Sequence, residues 1–306
     1  MSQPRWADEE NVGVNREPMH TPLRAHESLA QALAHGCGNQ TAPTKWVIPL
    51  TPAKWLFHLA PSPRDAPCTR PGSGFDTETS TKAGGWIHID VPLSWQLDPR
   101  VADQPMYTNY RYPFIDGQAL LSNKFPAPRD DNPVGSYQHT FELPREWEGR
   151  RVLLQIDGAD SAITVWVNGV EVGYSTDSCL PCEFDITAAC SQTAEPQSPQ
   201  KGARTRLAGE HVLSVQLLRW SKGSYMEDQD MWWLSGLHRH VRLLSKPRAL
   251  ALVDYAFTPT RAELSDDASE AHVGSAAFDL EVRLAGSGLG LSSKRRYRRV
   301  PHWRRR

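Results

Sequence analysis

Short segments in which apolar and polar residues alternate recur along the chain. Residues 85–91 (GWIHIDV), 136–143 (SYQHTFEL), 151–157 (RVLLQID) and 211–219 (HVLSVQLLR) each place apolar side chains close to every second position. This period is typical of β-strands with one buried face, because successive side chains point to opposite sides of a sheet. The pattern therefore predicts at least four strands, each short enough for a sheet of ordinary size.

A hairpin and frequent breaks extend this prediction. Two further apolar segments, residues 162–167 and 170–174, flank Asn168-Gly169, a pair that favours the positive φ angles of a tight two-residue turn. Proline and glycine separate most of the remaining segments, and the only predicted helix covers residues 27–35. Many short strands with almost no helix indicate an all-β antiparallel sandwich.

The pattern divides the chain into four parts. Residues 1–44 are polar and form an N-terminal arm, and residues 45–246 hold the strands of the main sandwich. After Lys246-Pro247-Arg248, residues 247–285 resemble the first strands of a second sandwich without their partners, which leaves a sheet edge uncovered. Residues 286–306 form a basic tail that we expect to be disordered or out of frame.

Charge separates this tail from the body of the chain. Lys294–Arg306 hold eight of the 34 lysines and arginines, so the rest has 26 basic against 35 acidic residues, or −9. An acidic body does not indicate a nucleic-acid-binding protein. The abrupt change to an Arg-rich sequence in the tail suggests that the tail is out of frame or derived from an intron. The alternative is a nuclear-targeting or nucleic-acid-binding arm.

The N-terminus and the cysteines predict a cytoplasmic chain. The first ten residues are acidic where a signal peptide needs a basic and then an apolar stretch, and no run approaches the ~18 apolar residues of a membrane span. The five cysteines form no disulfide framework, so we expect reduced structural thiols. Cys179 and Cys182 have the spacing of a redox pair or half a zinc site, which is the alternative.

One polar stretch, residues 220–236 (WSKGSYMEDQDMWWLSG), separates two predicted strands and is called the acidic loop below. It places Glu227, Asp228 and Asp230 beside several aromatic residues, among them Trp232. Carboxylates accept hydrogen bonds from vicinal hydroxyls and aromatic rings cover the C–H face of a sugar, so this combination suits a carbohydrate site. The alternative is a structural loop whose acids cap turns and whose tryptophans fill the core.

Asn132 is a second candidate for binding. It precedes Pro133, which favours an extended backbone at Asn132 and would allow its amide to face a pocket. An ordinary turn asparagine is the alternative.

Five motifs together carry a resemblance to a known family. The chain resembles the N-terminal part of the large β-galactosidases of glycoside hydrolase family 2, from about Trp6 to Leu284. The matching segments are VPLSWQL (91–97), PMYTNYRYPF (105–114), DNPVGSY (131–137), DGADSAITVWVNGVEVGYSTDSCLPCEFDIT (157–187) and LLRWSKGSYMEDQDMWWLSGLHRHVRLLSKP (217–247). The resemblance implies a jelly-roll sugar-binding domain followed by the start of an immunoglobulin-like domain.

The resemblance also implies roles for single residues. Asn132 matches the asparagine that borders the galactose subsite, and Asp230 matches the aspartate that contacts galactose hydroxyls and helps to hold sodium. Glu227, Asp228 and Trp232 are expected to support the loop. Lys222 replaces the aspartate of the family's WSDGSY sequence, so a peripheral magnesium contact is not expected here.

The family's chemistry is retaining hydrolysis of β-galactosides by two carboxyl groups ~5–5.5 Å apart. In the resembled enzymes both belong to a (β/α)₈ barrel that follows the immunoglobulin-like domain, and such a barrel takes ~250 residues. No catalytic residue is therefore expected in this chain, and magnesium and sodium belong to the full-length family. The implied partners are a β-galactoside, the missing barrel or a complementing chain, and in the full-length form further copies of itself. The alternative is a stand-alone carbohydrate-binding module or a subunit of a split enzyme.

Overall fold

The computed structural model describes residues 4–8, 10–35, 44–69, 74–75, 85–109, 112–114, 127–128, 130–191, 209–264, 273–286 and 295–299. Three short α-helices are present in these residues: Leu29–His35, Thr187–Ser191 and Gly223–Met226. The strands are β1 (Gly13–Val14), β2 (Val47–Pro49), β3 (Ala53–Ala60), β4 (Ile87–Val91), β5 (Met106–Tyr107), β6 (Val134–Leu143), β7 (Arg151–Ile156), β8 (Ala162–Val167), β9 (Val170–Thr176), β10 (Cys182–Asp185), β11 (Gly209–Leu218), β12 (Trp232–Trp233), β13 (Val241–Lys246), β14 (Ala251–Leu264), β15 (Val273–Ala285) and β16 (Arg295–Arg299).

Two antiparallel sheets form the sandwich of the first unit. The larger sheet has the order β1-β9-β8-β11-β6-β3-β4, and the smaller has the order β10-β7-β13-β2. Neighbours in these sheets are mostly distant in sequence, as when β11 pairs with both β6 and β8. The prediction of an all-β sandwich is confirmed, because alternating apolar side chains from both sheets meet in one core.

Three tryptophans anchor this core with their indole nitrogens satisfied. Trp55, Trp95 and Trp147 are fully buried. The Nε1–H of Trp147 donates to the Lys45 carbonyl at 2.9 Å, and that of Trp95 donates to the Asp103 carboxylate at 2.7 Å. Such bonds matter because an unpaired indole N–H would offset part of the free energy gained by burying the ring.

The predicted hairpin is present between β8 and β9. Asn168 and Gly169 have φ angles of 51° and 73°, the left-handed values that this turn requires. The Asn168 side chain also accepts a hydrogen bond from the Val212 amide at 3.0 Å, which ties the turn to the neighbouring β11. The local sequence therefore determines this turn, and a long-range contact secures it.

A second unit contains Pro18–Ala25 and Lys246–Arg306. Its sheet has the order β14-β15-β16, and Thr21 joins it by donating from its amide to Asp254 and from its hydroxyl to the Tyr255 carbonyl. Residues 18–25 of the predicted arm belong to this unit, and Arg295–Arg299 of the predicted tail form a strand that pairs with β15.

The helix predicted over residues 27–35 begins at Leu29 and ends at His35. No helix within the described ranges has the length and apolar character needed to cross a bilayer.

Candidate functional site

The acidic loop has defined secondary structure at both ends. It begins with the short helix Gly223–Met226 and continues into β12, which pairs with β5 as a two-stranded ribbon. It ends at Gly236, whose φ is 146°. A Cβ atom there would lie 2.4 Å from the Leu93 carbonyl oxygen, so only glycine allows the chain to turn this closely past that backbone.

Aromatic side chains pack beneath the loop. The ring of Phe114 lies 4.5 Å from that of Trp220 and 5.2 Å from that of Tyr225. Trp220 and Trp233 are 5.4 Å apart, and Tyr112 and Tyr225 are 4.8 Å apart. Edge-to-face pairs of this kind stabilise a fixed arrangement of rings. We call these five residues the aromatic cluster; it gives the loop a rigid base.

Asp230 lies at the exposed tip of the loop. The Tyr107 hydroxyl donates to its Oδ1, and this bond raises the pKa of Tyr107 because it favours the protonated phenol. Across the ribbon the ring of Tyr107 lies 5.7 Å from that of Trp232, which is 59% exposed. Asp230 is therefore oriented through one oxygen while its remaining lone pairs face outward.

Glu227 joins the loop to the turn after β9. Its two carboxylate oxygens accept hydrogen bonds from the amide and the hydroxyl of Ser178, both at 2.6 Å. His238 contacts the carbonyl oxygen of the same Ser178 at 2.9 Å. Asp228, next in the chain, is half-buried, and burial raises its pKa. Glu227 thus faces the protein, Asp228 is half-buried, and Asp230 is exposed.

Asp160, which no sequence motif indicated, lies next to Ser178 and accepts a hydrogen bond from it. Burial and, after it, the negative charge of Glu227 raise the pKa of Asp160 to about 7, whereas a hydrogen bond from Ser178 opposes the shift. Asp160 also exchanges backbone hydrogen bonds with Gly236 at 3.2 and 3.3 Å. No local pattern marks this residue, because its surroundings come from the distant residues Glu227 and Arg219.

Asn132, for which a pocket-facing amide and an ordinary turn residue were the two predictions, directs its amide at the protein backbone. It is fully buried, and its Oδ1 accepts from the Trp220 amide at 2.9 Å. Its Nδ2 donates to the carbonyls of Trp220 and Pro128 at 2.9 and 3.0 Å. Both amide donors are thereby used on backbone, so the side chain holds the start of the acidic loop in place.

The metal expectations concern Asp230 and Lys222. Asp230 offers one hard carboxylate oxygen of the kind that sodium or magnesium takes. Among the described residues there is no group of three or more His, Cys, Asp or Glu side chains placed to hold a metal ion. Lys222, half-buried at the start of the loop helix, brings an ammonium group where an anionic ligand would be needed.

The cysteines have the properties of structural thiols. The four that the structure describes, Cys68, Cys179, Cys182 and Cys190, are free. Burial raises the pKa of Cys182 and of Cys190 to about 12, and it also raises the pKa of Cys179. A thiol must lose its proton to act as a nucleophile or a zinc ligand, so these surroundings do not favour either function.

Comparison with known proteins identifies the sandwich. The family model of the sugar binding domain of glycosyl hydrolases family 2 matches residues 52–197 and 203–247. β-Galactosidases of Psychromonas ingrahamii and Vibrio cholerae are 38% and 34% identical to this chain, over 79% and 82% of its length. The chain spans 20% of the length of each of these two relatives.

Solved structures add a weaker likeness. A β-glucuronidase of Bifidobacterium dentium has a TM-score of 0.47 at 19% identity, over 81% of this chain and 37% of that one. The family match, in contrast, covers well over half of the chain. The chain therefore belongs to glycosyl hydrolases family 2 and contains the family's sugar binding domain.

Proposed function

We propose that this chain is the sugar-binding N-terminal portion of a β-galactosidase and that Asp230 is its contact to the galactose unit. The observation that carries this proposal is the exposed Asp230 carboxylate, oriented by the Tyr107 hydroxyl beside the open face of Trp232. The β-galactosidases among its relatives support the choice of sugar.

The chemistry of the loop tip suits a hydroxylated ring. The outward lone pairs of Asp230 would accept hydrogen bonds from adjacent sugar hydroxyls, as carboxylates do in bidentate recognition. The exposed ring of Trp232 would cover an apolar C–H face. Asn109 follows Tyr107 by two residues and is exposed, so its amide is accessible near this ribbon. Asn132 is buried and does not suit this binding role.

Hydrolysis would require groups from another part of a longer protein. A retaining glycosidase needs an acid/base and a nucleophile ~5–5.5 Å apart on either side of the bond. Both oxygens of Glu227 accept hydrogen bonds from Ser178, which removes this acid from consideration as a nucleophile. We therefore propose a barrel domain or complementing chain as the source of catalysis, with Asp230 as one ligand of a sodium ion there.

A chimera tests this proposal. The Psychromonas ingrahamii β-galactosidase would carry residues 6–247 of this chain in place of the segment that they match. With Asp230→Asn we expect kcat/KM for a nitrophenyl β-galactoside to fall about 100-fold, because the neutral amide loses charge-assisted bonds to the sugar. Asp131→Asn, an equally exposed acid, is the control and should leave kcat/KM unchanged. Equal kcat/KM values for all three proteins would refute the role of Asp230.

A stand-alone carbohydrate-binding module is the second candidate. The exposed rings of Tyr107 and Trp232 favour it, because two adjacent aromatic faces suffice for weak sugar binding. Titration calorimetry of the isolated chain with galactose distinguishes the two candidates. Binding tighter than about 1 mM, lost in Trp232→Ala, would support the module. Weaker binding, together with the loss of activity in the chimera, would support the enzyme portion.

A further inference from the structure

A buried guanidinium lies at one end of the ribbon formed by β5 and β12. Arg219 directly follows β11, and its side chain is 4% exposed. Its Nη2 donates to the carbonyl of Gln104 at 3.5 Å and to the carbonyl of Trp233 at 3.4 Å. The first carbonyl lies just before β5 and the second lies at the last residue of β12. One planar group therefore contacts both strands at the same end, which we call the inner end of the ribbon.

A buried ion pair holds this guanidinium in place. The Nη1 of Arg219 donates to Oδ1 of Asp103, which is 11% exposed. The second carboxylate oxygen accepts from Nε1 of Trp95 at 2.7 Å and from Nε2 of Gln96 at 3.0 Å. The side-chain oxygen of Gln96 in turn accepts from the amide of Ser235 at 2.9 Å. These bonds join the segment before β5 to the segment after β12, so the inner end is fixed on both sides.

The other end of the ribbon carries the candidate sugar contact. Tyr107 pairs there with Trp232, at the end away from Arg219. The Tyr107 hydroxyl donates to Asp230, which precedes Trp232 by two residues. A two-stranded ribbon is only marginally stable by itself, so a group that bonds to both of its strands strongly influences its geometry. The direction of the Asp230 carboxylate therefore depends on what holds the inner end.

We propose that Arg219 is a positioning residue for galactose binding, which holds the ribbon so that Asp230 and Tyr107 keep one geometry before the sugar arrives. The inference rests on the proposed function, because it takes Asp230 as the sugar contact. Groups that are ordered before binding do not lose conformational freedom when the ligand arrives, and this increases affinity. Arginine suits this position because its rigid fork of donors can bond to a carboxylate and to two carbonyls at once, whereas the compact ammonium of lysine cannot.

Arg219→Lys tests the proposal in the chimera described above. The lysine keeps a positive charge beside Asp103 but lacks the fork, so we expect KM for the nitrophenyl β-galactoside to rise about tenfold while kcat stays within about twofold. A purely structural role would instead reduce the amount of folded enzyme and leave KM unchanged.

Removal of the whole ion pair separates stability from positioning. Arg219→Met leaves the Asp103 carboxylate buried without its cation and should lower the Tm. Arg219→Met/Asp103→Asn removes both charges, so part of the lost Tm should return. KM should nevertheless stay raised in the double variant, because the carbonyls of Gln104 and Trp233 remain without the guanidinium. Recovery of the normal KM together with the Tm would contradict the positioning role.

A double-mutant cycle with Asp230→Asn distinguishes this proposal from the proposed function. If Arg219 acts through Asp230, Arg219→Lys should change kcat/KM less than about twofold in the chimera that already carries Asp230→Asn. Equal losses in both backgrounds would show that Arg219 does not act through Asp230. A silent Asp230→Asn would refute the sugar contact itself, whereas an impaired Asp230→Asn beside a silent Arg219→Lys would refute only the role of Arg219.

Hydrogen exchange of the full 306-residue chain measures the ribbon without a sugar or a chimera. We expect the amides of residues 104–109 and 231–235 to exchange at least about fivefold faster in Arg219→Lys, and those of β7 to stay unchanged. Arg242→Lys is the matched control, because Arg242 forms a similarly buried ion pair with Asp157 on the smaller sheet. It should leave exchange in the ribbon unchanged. If the chimera does not fold, this measurement decides, and unchanged exchange in Arg219→Lys would overturn the proposal.

Discussion

Asn132 and Asp230 are both polar residues of the candidate site, yet their environments are opposite. Asn132 is fully buried, and its amide donates hydrogen bonds to the carbonyls of Trp220 and Pro128. Asp230 is exposed and accepts one hydrogen bond, from the Tyr107 hydroxyl. The base of the acidic loop is thus fixed by buried hydrogen bonds, and its tip is left open. The difference separates residues that build the site from residues that can touch a ligand.

The largest effect is expected at the buried end. Asn132→Ala removes three hydrogen bonds and leaves the Trp220 amide and carbonyl without partners, so the free energy of unfolding should fall by about 3–4 kcal/mol. Denaturant unfolding measures it. Asn109→Ala is the exposed control and should stay within about 0.5 kcal/mol. A small loss in Asn132→Ala would mean that this amide does not hold the loop.

Asp160 should make stability depend on pH. Its pKa is about 7 in the folded protein and near 4 when unfolded, so between these values only the folded chain retains the proton. The contribution of Asp160 to the free energy of unfolding is fully present below pH 4. It falls as the pH rises to 7 and then levels off. We expect a loss of about 2–3 kcal/mol, somewhat less than the full linkage value of ~1.4 kcal/mol per pKa unit.

Asp160→Asn provides the comparison, because the amide cannot ionise. Its free energy of unfolding, measured by urea denaturation from pH 4 to pH 8, should depend less on pH than that of the wild-type chain. At pH 8 it should be higher than the wild-type value. Parallel curves for the two proteins would show that Asp160 is ionised throughout this range.

Glu227→Gln should have a moderate effect. The substitution keeps the shape of the side chain, but the amide has a single acceptor oxygen and no charge. It can therefore accept only one of the two hydrogen bonds that Ser178 donates to Glu227, and we expect a loss of about 1–2 kcal/mol. Cleavage by chymotrypsin after Tyr225 should also become faster as the loop opens more often. Unchanged stability and cleavage would show that Ser178 does not hold the loop.

The smallest effect on stability is expected at the exposed tip. Tyr107→Phe removes a single surface hydrogen bond, so the Tm should change by less than about 1 °C. In the chimera the same substitution should raise KM about three- to tenfold, because Asp230 loses its fixed orientation. A large change in Tm without a change in KM would reverse the distinction between the base and the tip of the loop.

The sequence was informative where interactions are local. Alternation predicted β6, β7 and β11, and Asn168-Gly169 predicted the hairpin, since both depend on neighbouring residues alone. The environment of Asn132 was missed because its partner, Trp220, lies 88 residues away, and no local pattern encodes that contact.

The amino-acid sequence by itself determined the strands, the turn, the acidic loop and the family, because periodicity, turn chemistry and motifs are properties of adjacent residues. Only the tertiary structure decided which polar groups face inward. It buried Asn132, gave Asp160 its raised pKa and brought Tyr107 to Asp230. The physical reason is that burial, hydrogen bonding and electrostatic surroundings depend on residues brought together from distant strands.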